Sequence, residues 1–431
     1  MSGGPAGVVR NRDFLLLWSG NGLSLIGSFG ARVAYPILAL EISGSPVLAG
    51  WVSFAVSIPT LLCYVHAGVV ADYANRKRTM FRCQLLGATV SAALTLWIVF
   101  DGVALPAVLV TAALLEGVIF SYFSLAEVAA IRDVVPEAQH ASAFSLYEME
   151  QPAAILLGRL SGAASVGWIR WFPFAANFLS YVVSAGFLAG IRSEKISRVS
   201  PRPATEDSFR SSVRAGFSWV LGSRFITVST VLTGVANVVF QVTILLLIVQ
   251  AQQERWPGWV IGVVLAAAGV GGTLGAVAAP WITRRFSPYS VYPVALWAWV
   301  VALLPMALTT NPFILAVAWC AVGAVGTVIA VLNTLSRIDL VPPEVLGRVI
   351  GIISLITSGA IPLGAALGGY LLAGWSTGTV AWTLPVTVAL LALVGGMLLR
   401  HARKADEPGF AVSPRPESGD AATPVESGEV R

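Results

Sequence analysis

Gly68-Val-Val-Ala-Asp72-Tyr-Ala-Asn-Arg76-Lys77-Arg78 is the stretch whose reading decides the fold. Roughly 20 apolar residues precede it and another such run follows, so it reads as a short charged loop between two membrane helices. Gly68 is small enough for close backbone approach at the helix end. Asp72 is an acid ahead of three successive cations, and Asn75 tolerates a turn that most residues resist. A solvated charge run between helices would look much the same, so the loop alone does not settle the matter.

The second half of the chain does. Gly275-Ala-Val-Ala-Ala-Pro-Trp-Ile-Thr-Arg284-Arg285 repeats the pattern with Gly68 on Gly275 and Lys77-Arg78 on Arg284-Arg285, an offset of 207 positions (275 minus 68). Val135-Pro136-Glu137 recurs as Val341-Pro342-Pro343-Glu344 at an offset of 206 (341 minus 135). Two independent matches at nearly one offset argue for duplicated halves, and parallel halves of six helices each are a transporter architecture.

The first loop resembles the signature G-x-x-x-D-R/K-x-G-R-R/K found between the second and third helices of the major facilitator superfamily. The resemblance runs from Asp13 to about Arg400. Ser28 to Ala34, Val134-Val135-Pro136 and Gly347-Arg348-Val349 are similar to the drug:proton antiporter branch that includes the enterobactin exporter and the macrolide efflux pumps. Tyr73 stands where that signature has a cation, and Asn75 where it has Gly, which bears on the fine geometry of the loop. The resemblance implies an all-α membrane protein of twelve transmembrane helices in two pseudo-symmetric six-helix bundles.

Composition agrees with that class. Of 431 residues, 56% are hydrophobic and only 11% charged, where a soluble domain carries about 25% charged residues. The net charge of +5 does not point to nucleic acid, because the cations sit in short loops between apolar runs. Cys63, Cys83 and Cys320 have no metal-ligand spacing and are expected to be reduced packing residues. His66 lies one turn before the signature loop and is read as packing ahead of proton handling. Arg10 and Arg12 precede a long apolar run without a small-residue cleavage site, so the first helix is expected to be retained. The dominance of Arg over Lys fits a bacterial chain.

Twelve spans are expected, at about 14–40, 46–70, 80–100, 104–130, 142–166, 169–191, 225–250, 258–282, 289–309, 312–336, 346–373 and 379–399. Each can cross about 30 Å of hydrocarbon. Alternate loops hold the cations: Arg76 to Arg82, Arg132, the segment Arg192 to Arg224, Arg284-Arg285, Arg337, Arg348, and the tail from Arg400. By the positive-inside rule those loops and both termini are cytoplasmic, which makes this a multi-pass protein of the cytoplasmic membrane. Trp51, Trp168, Trp171, Trp256, Trp259, Trp375 and Trp382 lie at the opposite helix ends, where amphipathic rings prefer to sit. The domains follow: a bundle over 1–191, a cytoplasmic linker over 192–224 with an amphipathic helix from Ser208 to Ser223, a second bundle over 225–400, and a disordered tail over 401–431.

An ionised residue at mid-membrane costs about 2.5–3.5 kcal/mol on insertion scales, so such residues are partnered or functional. Arg32, Glu116, Glu148, Glu150 and Arg159 qualify, all in the first half. These are the candidate substrate- and proton-binding residues. Counted from the outer helix ends at 1.5 Å per residue, Arg32, Glu116 and Arg159 share one layer roughly 13–18 Å deep. The alternative is a buried ion-pair network that fixes helix packing. Glu148 and Glu150 sit nearer the cytoplasmic end, as gate or structure. In the family the Asp of the signature loop helps close the cytoplasmic side by charge pairing and contact with the eleventh helix. Carried over, the gating set is Gly68, Asp72, Arg76, Lys77 and Arg78, with Glu127 and Arg132 at the neighbouring helix end. Family antiporters often have G-P-x-x-G-G in the fifth helix, where this chain has Gly158-Arg159-Leu160-Ser161-Gly162. Ser28 stands where relatives often carry an acid, so the coupling residue is expected to have moved to Glu116.

The Gly269 to Gly275 run lacks the G-x-x-x-x-G-K-[ST] pattern and a strand context, so no phosphate loop or ATP-driven pump is expected. No nucleophile–base pair or metal cluster is evident, so no enzyme activity and no cofactor are expected. The expected partners are a small-molecule substrate, protons and the lipid bilayer, not nucleic acid, and the expected state is a monomer. The expected function is proton-coupled efflux of an amphiphilic small molecule, such as a drug, macrolide or siderophore-like compound, by alternating access. Proton-coupled uptake and a non-transporting sensor or scaffold are the alternatives.

Overall fold

The computed structural model describes residues 8–102, 105–192, 196 and 217–406. Most of the expected linker over 192–224, including most of the amphipathic helix at Ser208–Ser223, and the tail beyond Asp406 lie outside the described residues. What is described is helical, as long apolar runs require when no water is available to satisfy backbone groups.

Thirteen α-helices are described: α1 Arg12–Ser43, α2 Pro46–Leu62, α3 Tyr64–Tyr73, α4 Arg76–Val99, α5 Leu105–Val134, α6 His140–Val166, α7 Phe172–Gly190, α8 Arg224–Gln253, α9 Gly258–Arg285, α10 Pro288–Leu308, α11 Pro312–Leu340, α12 Pro343–Gly374 and α13 Thr377–Asp406. Their starts are written locally. The Asn11 side chain accepts from the backbone N–H groups of Asp13 and Phe14, Asn75 from Arg78, Ser223 from Ile226, and Asn311 from Phe313 and Ile314. Each such cap satisfies donors that the first helical turn leaves orphaned. Proline opens α2, α10, α11 and α12, where its missing N–H costs nothing. Gly44, at φ +62°, closes α1 in the left-handed conformation that side chains resist.

The second span differs from the single helix expected over 46–70. It is broken at Cys63 into α2 and α3, four residues after Pro59 inside α2. The Cys63 N–H still donates to the Pro59 carbonyl at 2.8 Å, so the helical hydrogen bond that follows the proline is kept up to the break. Ten of the described helices are long and apolar enough to cross a membrane. The other two spans are the α2–α3 pair and α6, the helix carrying Glu148, Glu150 and Arg159.

The helices form two bundles. In the first, α1 packs on α2, α5, α6 and α7, and α4 on α5 and α7. In the second, α8 packs on α12 and α13, α9 on α11, and α10 on α11 and α13. The halves meet mainly through two helix pairs, α2 with α12 and α6 with α9. Counted as spans these are 2 with 11 and 5 with 8, and exchanging the halves, by six added to the first number and six taken from the second, turns either pair into the other. That is the signature of a pseudo-twofold relation between duplicated halves.

The two joints close toward the tryptophan-bearing end. A Cβ on Gly50 would lie 2.7 Å from the Ala365 carbonyl and 2.9 Å from Gly369 Cα, so α2 and α12 touch backbone to backbone there. Gly167 and Gly258 make the same approach between the start of α9 and the end of α6. Trp51 Nε1 also donates to the Tyr370 hydroxyl at 3.1 Å. Nearer the cation-bearing end of the same helices Tyr64, Met149, Leu355 and Ile356 are exposed. Close packing of this kind uses small residues in place of a hydrophobic driving force, which lipid does not supply.

Candidate functional site

The first bundle encloses a polar core. Glu116 of α5 is fully buried, and its Oε1 accepts from Ser28 Oγ of α1 at 3.1 Å, from Asn177 Nδ2 of α7 at 3.4 Å, and from the Tyr181 hydroxyl of α7. Ser28 and Tyr181 are themselves in contact at 2.9 Å, and Asn177 also donates to Ser91 of α4 at 3.1 Å. The other carboxyl oxygen of Glu116 has no hydrogen-bond partner. One oxygen is therefore held by three donors while the other is available to a proton. One turn further along α1, Ser24 donates to Gln84 of α4 at 3.2 Å, and Gln84 donates to Ser184 of α7 at 2.8 Å. Asn21, Ser24, Ser28 and Arg32 fall at helical spacing, so one face of α1 supplies the polar side of the bundle.

Arg32 lies within electrostatic range of Glu116 but forms no ion pair with it among the described residues. Its guanidinium sits 4.1 Å from the Phe120 ring centre and 5.7 Å from that of Phe29. Its Nε and Nη2 have no hydrogen-bond partner. Aromatic faces hold a guanidinium through the ring quadrupole while leaving its donors available. Arg32 and Glu116 thus interact electrostatically without a direct ion pair among the described residues.

Arg159 faces a different neighbour. Its Nη1 donates across the interface to the Leu265 carbonyl of α9 at 3.5 Å. The reason is angular: Gly158 and Gly162 face α1, where a Cβ on Gly162 would sit 2.3 Å from the Gly30 carbonyl. At about 100° per residue, position 159 is turned away from them, toward α9. Glu148 and Glu150 separate for the same cause. Glu148 is exposed, whereas Glu150 is buried beside Asn21 and against the backbone of Gly22.

The gating set is placed differently from its expectation. Glu127, expected at the loop, is buried inside the bundle within electrostatic range of Glu150. Arg76 pairs with Asp133 at the end of α5, and its Nε donates to the Ala71 carbonyl at 2.8 Å. Lys77 donates to the Ile191 carbonyl at 2.7 Å, just past α7. The backbone N–H of Arg78 is taken up by the Asn75 cap, and Arg132 lies 5.8 Å from the Phe144 ring centre. The described contacts of the loop cations stay within the first bundle. The Asp72 side chain lies outside the described residues. Among the described residues Gly68 has no neighbour within 4 Å of its Cβ position, because α2 and α12 meet toward the opposite end. His66 contacts the Tyr122 hydroxyl at 2.6 Å.

Sequence reasoning missed Asn177, Tyr181, Gln84 and Asp133. Asp133 alone left a signal, an acid directly beside Arg132. The second bundle has a neutral knot instead: Thr233 contacts the Tyr292 hydroxyl at 2.9 Å and accepts from Asn333 Nδ2 at 3.1 Å.

A family model described as transmembrane secretion effector, within the major facilitator transporters, matches residues 4–416. The chain belongs to that family. This transporter is 28% identical over 401 residues to the multidrug efflux pump Tap of Mycolicibacterium fortuitum, covering 90% of this chain and 94% of that one. It is 27% identical over 428 residues to a pump of the same name from Mycobacterium tuberculosis, covering 91% and 95%. Among solved structures, the nucleoside transporter NupG superposes with a TM-score of 0.73 at 14% identity, over 90% of this chain and 99% of that one. A bacterial homologue of the iron transporter ferroportin, in an inward-facing state, superposes at 0.68 and 17% identity, over 91% and 98%. The secretion-effector transporter is therefore a multi-pass membrane protein with the major facilitator fold and a small-molecule substrate, and not an enzyme.

Proposed function

We propose that the protein is a proton-coupled exporter of amphiphilic small molecules in the cytoplasmic membrane, working as a monomer by alternating access. The observation that carries this is Glu116: a fully buried carboxyl with one oxygen held by Ser28, Asn177 and Tyr181, the other free, and Arg32 close by without pairing. A group so built takes up and releases a proton without moving its neighbours. Its charge is balanced by Arg32 when the proton is absent. Export follows the multidrug pumps to which the chain is similar.

In this proposal the cation-bearing loops and both termini are cytoplasmic. The bundles over 1–191 and 225–400 rock about the α2–α12 and α6–α9 joints, and residues 192–224 connect them. The joints meet at the outer end, so the conformation described is open toward the cytoplasm. Substrate enters between the halves, close to Arg159 at the α6–α9 joint, and shifts the proton affinity of Glu116 through Arg32, since coupling between two sites is reciprocal. Arg76, Lys77, Arg78 and Arg132 hold the cytoplasmic ends of the first bundle as one body during that motion.

The test uses inside-out vesicles acidified by respiration, with macrolides, catecholate siderophores and lipophilic cations added in turn. One class should collapse the pH gradient in wild-type vesicles, and Glu116→Gln should abolish the response while binding of that compound persists. Wild-type proton flux in Glu116→Gln would remove Glu116 from the mechanism. Flux of substrate in the opposite sense would replace export by uptake.

A further inference from the structure

The second bundle carries two recesses that transport does not use. A groove of about 530 Å³ runs between α9, α10 and α11, lined by Gly275, Ala278, Ile282, Phe286, Val291 and Ala295 among others, with Ser290 as its polar lining residue. A second, of about 380 Å³, lies between α10 and α13 and is lined by Trp297, Leu393, Met397 and Arg400. Ser290 and Val294 line both, so α10 is a ridge between neighbouring grooves. The outward side of that ridge is apolar, with Val294, Trp297 and Val301 all exposed.

Both grooves lie toward the cation-bearing end, and each has an arginine there. Arg285 closes α9 one residue before Phe286, with its guanidinium 5.8 Å from the Trp281 ring centre. Arg400 lines the second groove itself. Both are exposed, and neither has an acidic partner among the described residues. Apolar recesses capped by unpaired cations at the membrane boundary match one chemistry: hydrocarbon chains ending in a negative headgroup. We propose that an anionic phospholipid of the leaflet at the cation-bearing end straddles α10, one acyl chain in each groove and its phosphate between Arg285 and Arg400. The opposite face of α9 meets α6 of the other half, so the lipid contacts one of the four helices at which the halves meet. This inference is independent of the direction of transport.

The test uses the purified full-length chain in a neutral detergent, with bound lipid counted by native mass spectrometry and thermal unfolding followed in parallel. The probes are phosphatidylglycerol, phosphatidylcholine with the same acyl chains, and inorganic phosphate. Phosphatidylglycerol should bind at least tenfold more tightly than phosphatidylcholine. Replacing both cations, Arg285→Gln with Arg400→Gln, should lower its affinity about 30-fold, roughly fivefold per cation, and leave phosphatidylcholine unaffected. Ala298→Trp, at an exposed position in the first groove, should weaken both lipids. Equal binding of the two lipids, a preference that survives in the double variant, or lipid binding unchanged by Ala298→Trp would each overturn the proposal. A thermal shift from inorganic phosphate equal to that from phosphatidylglycerol would overturn it as well, because the grooves would then play no part.

Discussion

Gly50→Ala offers a direct test of how the halves meet. The added Cβ would stand 2.7 Å from the Ala365 carbonyl and 2.9 Å from Gly369 Cα, and both obstacles are backbone. Ordinary contact begins near 3.4 Å, so α2 and α12 must part by about 0.7 Å (3.4 minus 2.7). Overpacking of that order costs about 1–3 kcal/mol. The better helix propensity of Ala, about 1 kcal/mol over Gly, acts in every conformation and cancels from the comparison. The penalty falls only on the state closed at the tryptophan-bearing end, and 1–3 kcal/mol moves the balance between states about 5- to 150-fold. In a background without Cys63, Cys83 and Cys320, spin labels at Trp168→Cys and Thr310→Cys would report the separation of the halves at that end. The longer-distance population should grow in Gly50→Ala. Gly162→Ala is the control, because its Cβ meets Gly30 within the first bundle, 2.3 Å from the carbonyl. It should lower the melting temperature without altering the distances. An unchanged distribution in Gly50→Ala, or an equal change in both variants, would refute the hinge geometry.

Three further outcomes follow from the same contacts. Tyr181→Phe keeps the ring and removes one donor from Glu116; gradient-driven efflux should fall at least tenfold with little loss of folding stability, measured as initial rates in vesicles against melting curves. A hydrogen bond to a charged group is worth about 1.5–3 kcal/mol, which sets that scale. Arg76 and Asp133 are each about one-fifth exposed, so a double-mutant cycle of Arg76→Gln and Asp133→Asn should give a coupling of about 1 kcal/mol, the upper end for a partly screened pair. Asn311→Ala removes the cap from Phe313 and Ile314 and should cost about 1 kcal/mol in chemical unfolding.

The duplication was legible because it needs only counting: Gly68 on Gly275 and Pro136 on Pro342 place both halves. The joints were not, since Gly50 and Gly369 are ordinary small residues until two helices cross at them. The break at Cys63 was hidden because proline in a membrane helix often bends it without dividing it. Depth along a helix can be read from residue number, and it brought Arg32 to the level of Glu116. Which way a side chain turns around the axis depends on neighbours the sequence does not name. Residue number therefore places Arg159 at a depth but not on the α9 joint where its guanidinium donates, and it places Glu127 beside the loop although the side chain is buried. Asn177 and Tyr181 were passed over because a single amide or hydroxyl in an apolar run is unremarkable until a carboxyl is packed against it.

The two bundles are alike in backbone and unlike in charge: the buried carboxyls Glu116, Glu127 and Glu150 lie in the first, while the polar knot of the second is built from neutral Thr233, Tyr292 and Asn333. On the proposed mechanism this separates two properties that inheritance could otherwise alter only together. Changes on the inner face of α8 to α13 can reshape what the cavity admits without touching the group that couples it to the proton gradient. A lineage can therefore acquire a new cargo by drift in one half while its energetics stay constant in the other.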